Sequence, residues 1–191
     1  MSVWSRWLTS IGLLVVAVVF GSIGCGGGGG GGGGPTEPPP PSSGVTFTAA
    51  GPAGANSIYL AQGTNTAANR FVLDVKASQV DDLYGVSFNL EFPDARLRWV
   101  PGGSQEGSFL SSSGSTDFIV EEDSPGVLIV GLSLLGDVAG SSGSGTLLSL
   151  EFEPVSSGSG PMTMTRHDAI NSTGDVKTLV EWIGGSVSVS I

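Results

Sequence analysis

The sequence contains one cysteine, one histidine and few cations. Metal sites built from cysteine and histidine need several such ligands, and an internal disulfide needs two cysteines, so neither can form. Seven Lys and Arg residues stand against 17 Asp and Glu residues, which gives a formal net charge of −10. Phosphate backbones and anionic lipid surfaces are therefore repelled. We predict that the chain does not bind nucleic acid.

Groups that carry catalysis are also scarce. His167 is the single histidine, Asp168 follows it, and no Gly-x-Ser-x-Gly segment stands where a strand turns into a helix. Paired carboxylates for glycoside hydrolysis must converge across a cleft, and nothing in the sequence brings Asp81, Asp82 or Asp94 together. We therefore interpret His167 as a loop residue and predict that the protein is not an enzyme and holds no cofactor.

The acidic run Glu121-Glu122-Asp123 is the remaining candidate for a cation site. Calcium-binding loops space their oxygen ligands along the chain and use glycine to turn between them. This run is continuous, and Pro125-Gly126 follows it immediately. We interpret it as a solvated turn between two strands and predict no metal site.

The first 25 residues have the character of an export signal. Arg6 and the amino terminus are positive. The ten residues 11–20 are apolar, and the small residues of GSIG follow them at 21–24. An alternative is a membrane anchor helix over residues 7–24, but eighteen residues that include polar ones are marginal for a span of about 30 Å. We favour a cleaved secretory signal.

The single cysteine comes directly after this signal. The segment Ser22-Ile23-Gly24-Cys25 resembles a bacterial lipobox, in which the cysteine thiol receives a diacylglyceryl group and becomes the new amino terminus. Gly24 fits the small residue before the cut, whereas Ser22 stands where leucine is usual. The alternative is a chance cysteine in an ordinary signal peptide. The resemblance implies lipidation of Cys25 and an exported, membrane-anchored lipoprotein at the outer membrane or cell surface.

Residues 26–44 have the composition of a linker. Nine consecutive glycines, 26–34, form a flexible coil, and the prolines that follow favour a stiffer extended spacer. Neither part can bury enough apolar surface to fold. A flexible chain of this length has a root-mean-square reach of about 25 Å. We predict a signal peptide over 1–25, a disordered linker over 26–44 and one folded domain over 45–191.

From Val45 onward the apolar residues recur with a period of two. In the segment 86–92 the alternation is unbroken and places Val86, Phe88, Leu90 and Phe92 on one face. Similar short segments are separated by Gly, Ser, Pro and Asp, and no convincing amphipathic helix is present. We predict an all-β, antiparallel two-sheet sandwich. Candidate strands are 45–49, 71–77, 86–92, 97–100, 118–121, 127–132, 146–153, 162–166, 179–183 and 186–191.

Five segments in order resemble cohesin domains. They are the run from Asp82 to Leu97 (DLYGVSFNLEFPDARL), EGSFL at 106–110, VGLSLLG at 130–136, GSGTLLSLEF at 143–152 and GGSVSV at 184–189. The similarity covers about residues 45–191. It implies a nine-stranded jelly-roll sandwich related to carbohydrate-binding modules, which agrees with the strand pattern.

The resemblance also implies a binding function. Cohesins of cellulose-degrading assemblies capture dockerin domains of secreted enzymes on the face made by strands three, five, six and eight. Ser87 departs from many dockerin-binding cohesins, which carry an acidic or amide residue at that position. The alternative is that the outward side chains of these strands form only a solvated surface. The candidate partner-binding residues on the third, fifth and sixth strands are Ser87, Asn89, Glu91, Asp117, Ile119, Glu121 and Ile129.

Two other functions stay open. A carbohydrate-binding module stacks exposed aromatic rings on sugars, and the large aromatic candidates outside the signal are Tyr59, Tyr84, Trp99 and Trp182. A passive surface lipoprotein is also compatible with a β-sandwich. The partner expected is therefore a dockerin-like protein module or a polysaccharide, with the membrane contacted only through the lipid.

Overall fold

The computed structural model describes residues 44–64, 67 and 69–191. The predicted signal, the lipidation site Cys25 and almost all of the predicted linker lie outside these residues. The domain boundaries therefore stay predictions. No helix in the described part of the chain is long and apolar enough to cross a membrane.

The described residues form twelve strands and one helix of four residues, α1. Nine of these strands have six residues or more, and the three short ones have two or three. The strands are β1 Gly44–Ala49, β2 Ser57–Gln62, β3 Phe71–Leu83, β4 Gly85–Glu91, β5 Leu97–Trp99, β6 Gln105–Glu106, β7 Thr116–Ser124, β8 Val127–Leu134, β9 Ser141–Pro154, β10 Gly158–Ile170, β11 Glu181–Ile183 and β12 Gly185–Ser190, with α1 at Ser108–Ser111.

The strands form two sheets that pack face to face. One sheet has the order β1-β12-β10-β4-β8-β7, and the other has the order β11-β2-β3-β9-β5, with β6 paired to β9. Every strand pair is antiparallel except the short parallel pair of β11 with β2. The predicted all-β sandwich is confirmed.

The core is built from the inward residues of both sheets. Val86, Phe88 and Leu90 of β4 are buried, as their alternation predicts, and their neighbours on the strand point outward. Phe152 of β9 is fully buried, and its ring centroid lies 6.1 Å from that of Phe71 and 5.1 Å from that of Phe92. Burying one such ring contributes about 1.5–3 kcal/mol.

The chain changes sheets between β3 and β4, with only Tyr84 between the two strands. The pairing of β3 with β9 shifts register twice near this corner, and Gln79 and Asp82 have positive φ values of 47° and 45°. Such irregularities bend a strand. The bend delivers β4 to the middle of the first sheet.

Two local predictions from the sequence are wrong, and one strand was not predicted. The acidic run Glu121-Glu122-Asp123 lies in β7, and the turn itself is Pro125-Gly126. His167 lies in β10 and not in a loop. The sequence did not predict strand β2, because Tyr59 and Ala61 on its outward side are apolar like Ile58 and Leu60 on its inward side. No alternation of apolar and polar residues therefore marks the strand.

Candidate functional site

Four neighbouring strands of the first sheet, β10, β4, β8 and β7, present one outward face, which we call the four-strand face. Residues paired in register across antiparallel strands point to the same side of the sheet. The register therefore defines rows that run across this face. Three rows are Ile170, Gly85, Ser133 and Asp117; Asp168, Ser87, Gly131 and Ile119; and Thr165, Asn89, Ile129 and Glu121.

The structure brings all seven sequence-predicted partner residues onto this face. Glu91, which the rows above do not include, pairs with Thr163 on one side and Val127 on the other. On β8 the outward residue Ile129 is exposed, whereas its neighbours Leu128 and Val130 are buried in the core. The predicted residues are thus neighbours in space. Their role in binding stays a prediction.

Two large apolar side chains are exposed side by side on the four-strand face, one on the edge strand β7 and one on the adjacent β8, and we call this pair the apolar centre. Ile119 of β7 is 49% exposed and Ile129 of β8 is 43% exposed. They lie on adjacent strands, one row apart, because Ile119 pairs with Gly131 and Ile129 pairs with Glu121. Apolar residues grouped on a surface with a polar surround are a common feature of protein-binding sites.

Next to Ile119 the face sinks into a depression of about 240 Å³. Gly131 lies between Ser87 and Ile119 in its row, and a Cβ added to it would meet no other atom within 4 Å. The missing side chain is therefore what leaves the space open. Residues lining the depression are Gly85, Val86, Ser87, Asp117, Ile119, Gly131, Leu132, Ser133, Asp168 and Ile170.

Carboxylates surround the apolar centre. Asp117 and Asp168 line the depression from opposite strands, and Glu121 and Glu91 lie further along the face. The Glu91 carboxylate accepts a hydrogen bond of 2.8 Å from the Thr165 hydroxyl. None of these four acids forms an ion pair within the described residues.

The opposite sheet treats its charges differently. There Arg98 Nη2 lies 2.6 Å from Glu153, and Arg70 contacts both Glu151 and Glu153. Glu151 and Glu153, two of its outward acids, are therefore paired within the domain. The four acids of the four-strand face have no such ion pair within the described residues.

A bulge in β10 determines which of its residues join this face. The register shifts between Thr165 and Asp168, and Arg166 has a φ of 48°. Thr163 and Thr165 point outward before the bulge, and Asp168 and Ile170 do so after it. The His167 ring instead stacks on Trp182, with centroids 4.6 Å apart and planes at 16°. Sequence reasoning did not select Asp168 or Ile170.

A hydrogen-bonded turn closes the face beyond Ile170. The Asp82 carboxylate accepts bonds from the Ser172 hydroxyl at 3.0 Å, from the Ser172 amide at 3.4 Å and from the Gly140 amide at 3.0 Å. These bonds, the Ser172 hydroxyl above all, hold the pKa of Asp82 below its usual value, with a smaller effect of nearby Lys177. The turn thereby fixes the end of β10 that carries Ile170.

Three of the four aromatic candidates for sugar stacking are engaged within the domain. Trp182 has His167 stacked on it and packs against Phe88, with ring centroids 5.8 Å apart. Trp99 is only 8% exposed, and its indole donates to the Ser104 hydroxyl. Tyr84 packs against the core, and its hydroxyl donates to the Gly136 carbonyl.

Within the described residues, no group of three or more His, Cys, Asp or Glu side chains is arranged to hold a metal ion. Glu121 and Glu122 are successive, regularly paired residues of β7, so their side chains point to opposite sides of the strand. The run therefore cannot converge on one ion. What the four-strand face offers chemically is a fixed surface with an apolar centre and an acidic surround.

No family model matches the chain, and no curated protein sequence matches it. Solved structures do match. The second type II cohesin module of an adaptor scaffoldin from Acetivibrio cellulolyticus has a TM-score of 0.59 and 16% identity, and the match covers 72% of this chain and 98% of that module.

Two further matches broaden the comparison. A non-cellulosomal cohesin from the archaeon Archaeoglobus fulgidus has a TM-score of 0.51 and 21% identity, over 70% of this chain and 89% of that one. A cohesin from scaffoldin B of Acetivibrio cellulolyticus, solved in complex with a mutant dockerin, has a TM-score of 0.53 and 16% identity, over 70% of this chain and 97% of that one.

Proposed function

Starting from the fold, which is that of cohesin modules, we propose that this chain is a non-enzymatic binding module. It recognises a dockerin-like protein module outside the cytoplasm through the four-strand face. The observation that carries the proposal is the grouping of the seven candidate residues on one side of four contiguous strands. One of the similar cohesins is itself solved with a dockerin, which supports this class of partner.

A sheet face suits recognition because it is ordered before the partner arrives. Binding costs free energy for every side chain and loop that must be immobilised. Here the backbone is fixed by pairing on both sides of β4 and β8, and both exposed isoleucines are β-branched and therefore stiff at χ1. The ordering cost at this face is accordingly low.

The sugar-binding alternative has less support. It needs exposed aromatic rings, and Trp99, Trp182 and Tyr84 are engaged within the domain. A polysaccharide would also meet the two exposed isoleucines of the face, where hydrogen-bonding groups would suit a sugar better.

The face can be tested with a double variant. Ile119→Ser with Ile129→Ser removes the exposed apolar centre, and Leu179→Ser removes an even more exposed leucine, 84% exposed, outside the face. The full chain would be immobilised in a mild detergent and offered a panel of purified dockerin modules from secreted proteins of the same organism. We expect binding to the unchanged chain and to Leu179→Ser, and at least a tenfold loss for the double variant.

A parallel measurement with insoluble cellulose and chitin separates the two functions. If no dockerin module binds, and if the polysaccharides retain the unchanged chain but not the double variant, the protein-recognition proposal is wrong. Equal dockerin binding by the double variant and the unchanged chain would show that recognition uses another surface.

We also propose that Cys25 carries a lipid, that residues 1–25 direct export and that residues 26–44 tether the domain to a membrane. One acyl chain gives only marginal membrane binding, whereas several chains give stable anchoring. The chain's net charge of −10 would not attract it to an anionic surface. Membrane attachment therefore depends on lipidation, which membrane fractionation of a Cys25 variant tests.

A further inference from the structure

The depression beside Gly131 has the size and lining of a receptor for one side chain. Its volume of about 240 Å³ is below the roughly 300–1,000 Å³ of pockets that hold whole small ligands. Ile119 and Ile170 form its apolar walls, and the absent side chain of Gly131 forms its open floor. An aliphatic side chain entering there exchanges water for apolar contact on several sides.

The acidic surroundings of the depression favour a partner segment with positive charge. Asp117 and Asp168 line it from β7 and β10, which are separated by three strand spacings, about 14 Å. Neither carboxylate has an ion-pair partner among the described residues. Arg166 at the β10 bulge and His167 beside it are the only basic residues on the four strands. Acidic groups therefore flank the depression on two opposite sides.

From these features we infer that the partner segment inserts one branched aliphatic side chain, Ile, Leu or Val, into the depression and carries Lys or Arg on both sides of it. The inference rests on the proposed function, since it describes the partner's contact with the same face. Opposite charges at the rim of an interface favour encounter and suppress wrong partners. An aliphatic side chain buried in the depression supplies affinity because it removes apolar surface from water.

Gly131 gives a direct way to fill the depression. Gly131→Val places a β-branched side chain on a central strand, and its Cβ meets nothing within 4 Å, so the fold should tolerate it. Ser188→Val is the matched control, because Ser188 is an exposed residue of β12 in the same sheet but away from the depression. Thermal unfolding of both variants checks that the sandwich is intact, and Gly131→Ala provides a milder filling.

An unbiased selection identifies the chemistry that the depression prefers. A displayed library of three-helix-bundle binders with one randomised face would be selected on the full chain in detergent and counter-selected on the Gly131→Val chain. We expect the enriched binders to share an Ile, Leu or Val flanked by Lys or Arg. Enrichment of acidic flanks, or of sequences without a shared aliphatic residue, overturns the inference.

The most enriched binder then serves as the probe for affinity. We expect Gly131→Val to weaken it by roughly 10- to 100-fold, Gly131→Ala to weaken it less, and Ser188→Val to leave it unchanged. The double variant Asp117→Asn with Asp168→Asn should weaken it several-fold in low salt, with the difference disappearing in high salt because exposed charges are screened. Full-affinity binding to Gly131→Val contradicts the inference.

The outcomes for the two proposals are distinguishable. If no dockerin module binds but the selection yields basic, aliphatic binders sensitive to Gly131→Val, the partner class is wrong and the chemistry of the depression stands. If dockerin modules bind equally to the unchanged and Gly131→Val chains, the proposed function stands and this inference fails.

Discussion

Leu128 and Ile129 are successive residues of β8 that should lose very different amounts of stability on the same substitution. Leu128 is fully buried, whereas Ile129 is 43% exposed on the four-strand face. Changing each to Thr keeps a residue suited to strands and introduces the same hydroxyl. The difference between the two variants therefore reports which side of the sheet each side chain occupies.

The magnitudes follow from burial. Leu128→Thr removes a buried side chain worth about 1.5–3 kcal/mol and places an unpaired hydroxyl in the core at a cost of about 1–3 kcal/mol. We expect a total loss of about 3–5 kcal/mol in the free energy of unfolding. Ile129→Thr exchanges a half-exposed side chain for a smaller β-branched one, and we expect a loss of about 1 kcal/mol or less.

Urea and thermal unfolding of the full chain, followed by circular dichroism, measure both variants. For a domain of roughly 150 residues each kcal/mol shifts the midpoint temperature by about 3–4 °C. Leu128→Thr should therefore lower it by about 10–20 °C, and Ile129→Thr by about 4 °C or less. A loss above about 2 kcal/mol for Ile129→Thr would mean that Ile129 is buried, and the four-strand face would lose its apolar centre.

Three other perturbations test separate parts of the argument. Asp82→Asn replaces a carboxylate, whose pKa is lowered in the folded state by the Ser172 hydroxyl, with a neutral amide that keeps only one acceptor oxygen. The unchanged chain should lose stability as the pH falls through and below about 3.9, the usual pKa of an aspartate. The variant should be less stable already at neutral pH, and its stability should vary less in acid. A steeper acid dependence in the variant would contradict this. Gly107→Ala brings a Cβ into contact with the Thr146 carbonyl and should destabilise the domain by about 1–3 kcal/mol, while Gly131→Ala should be neutral or slightly stabilising. Cys25→Ser should release the protein from the membrane fraction, and unchanged retention would count against lipidation.

How well the sequence predicts the fold depends on how cleanly each strand separates its two faces. In β4, apolar residues alternate with Ser87, Asn89 and Glu91, so both the strand and its outward residues could be predicted. In β8 nearly every residue is apolar, because the central strand has a buried face and an exposed face that both carry aliphatic side chains. Only pairing with β4 determines that Ile129 points outward.

The candidate site was least predictable in β10. A strict period of two that starts from Thr163 and Thr165 places His167 outward and Asp168 inward. The extra residue of the bulge reverses this order, so that Asp168 and Ile170 reach the depression. No single-sequence pattern marked the bulge, because Arg166 adopts a positive φ without being glycine or asparagine.

The described domain separates the place where its chain enters from the place where we propose recognition. Gly44, the first residue of β1, pairs with Ser190, and the neighbouring Val189 pairs with Gly158 at the start of β10. The depression lies beside Ile170 at the other end of β10, and twelve steps of strand put roughly 35–40 Å between the two ends. A partner seated at the depression would therefore not compete with the polypeptide entering β1. The start of β1, where the proposed tether would join, and the proposed recognition surface thus lie at opposite ends of β10.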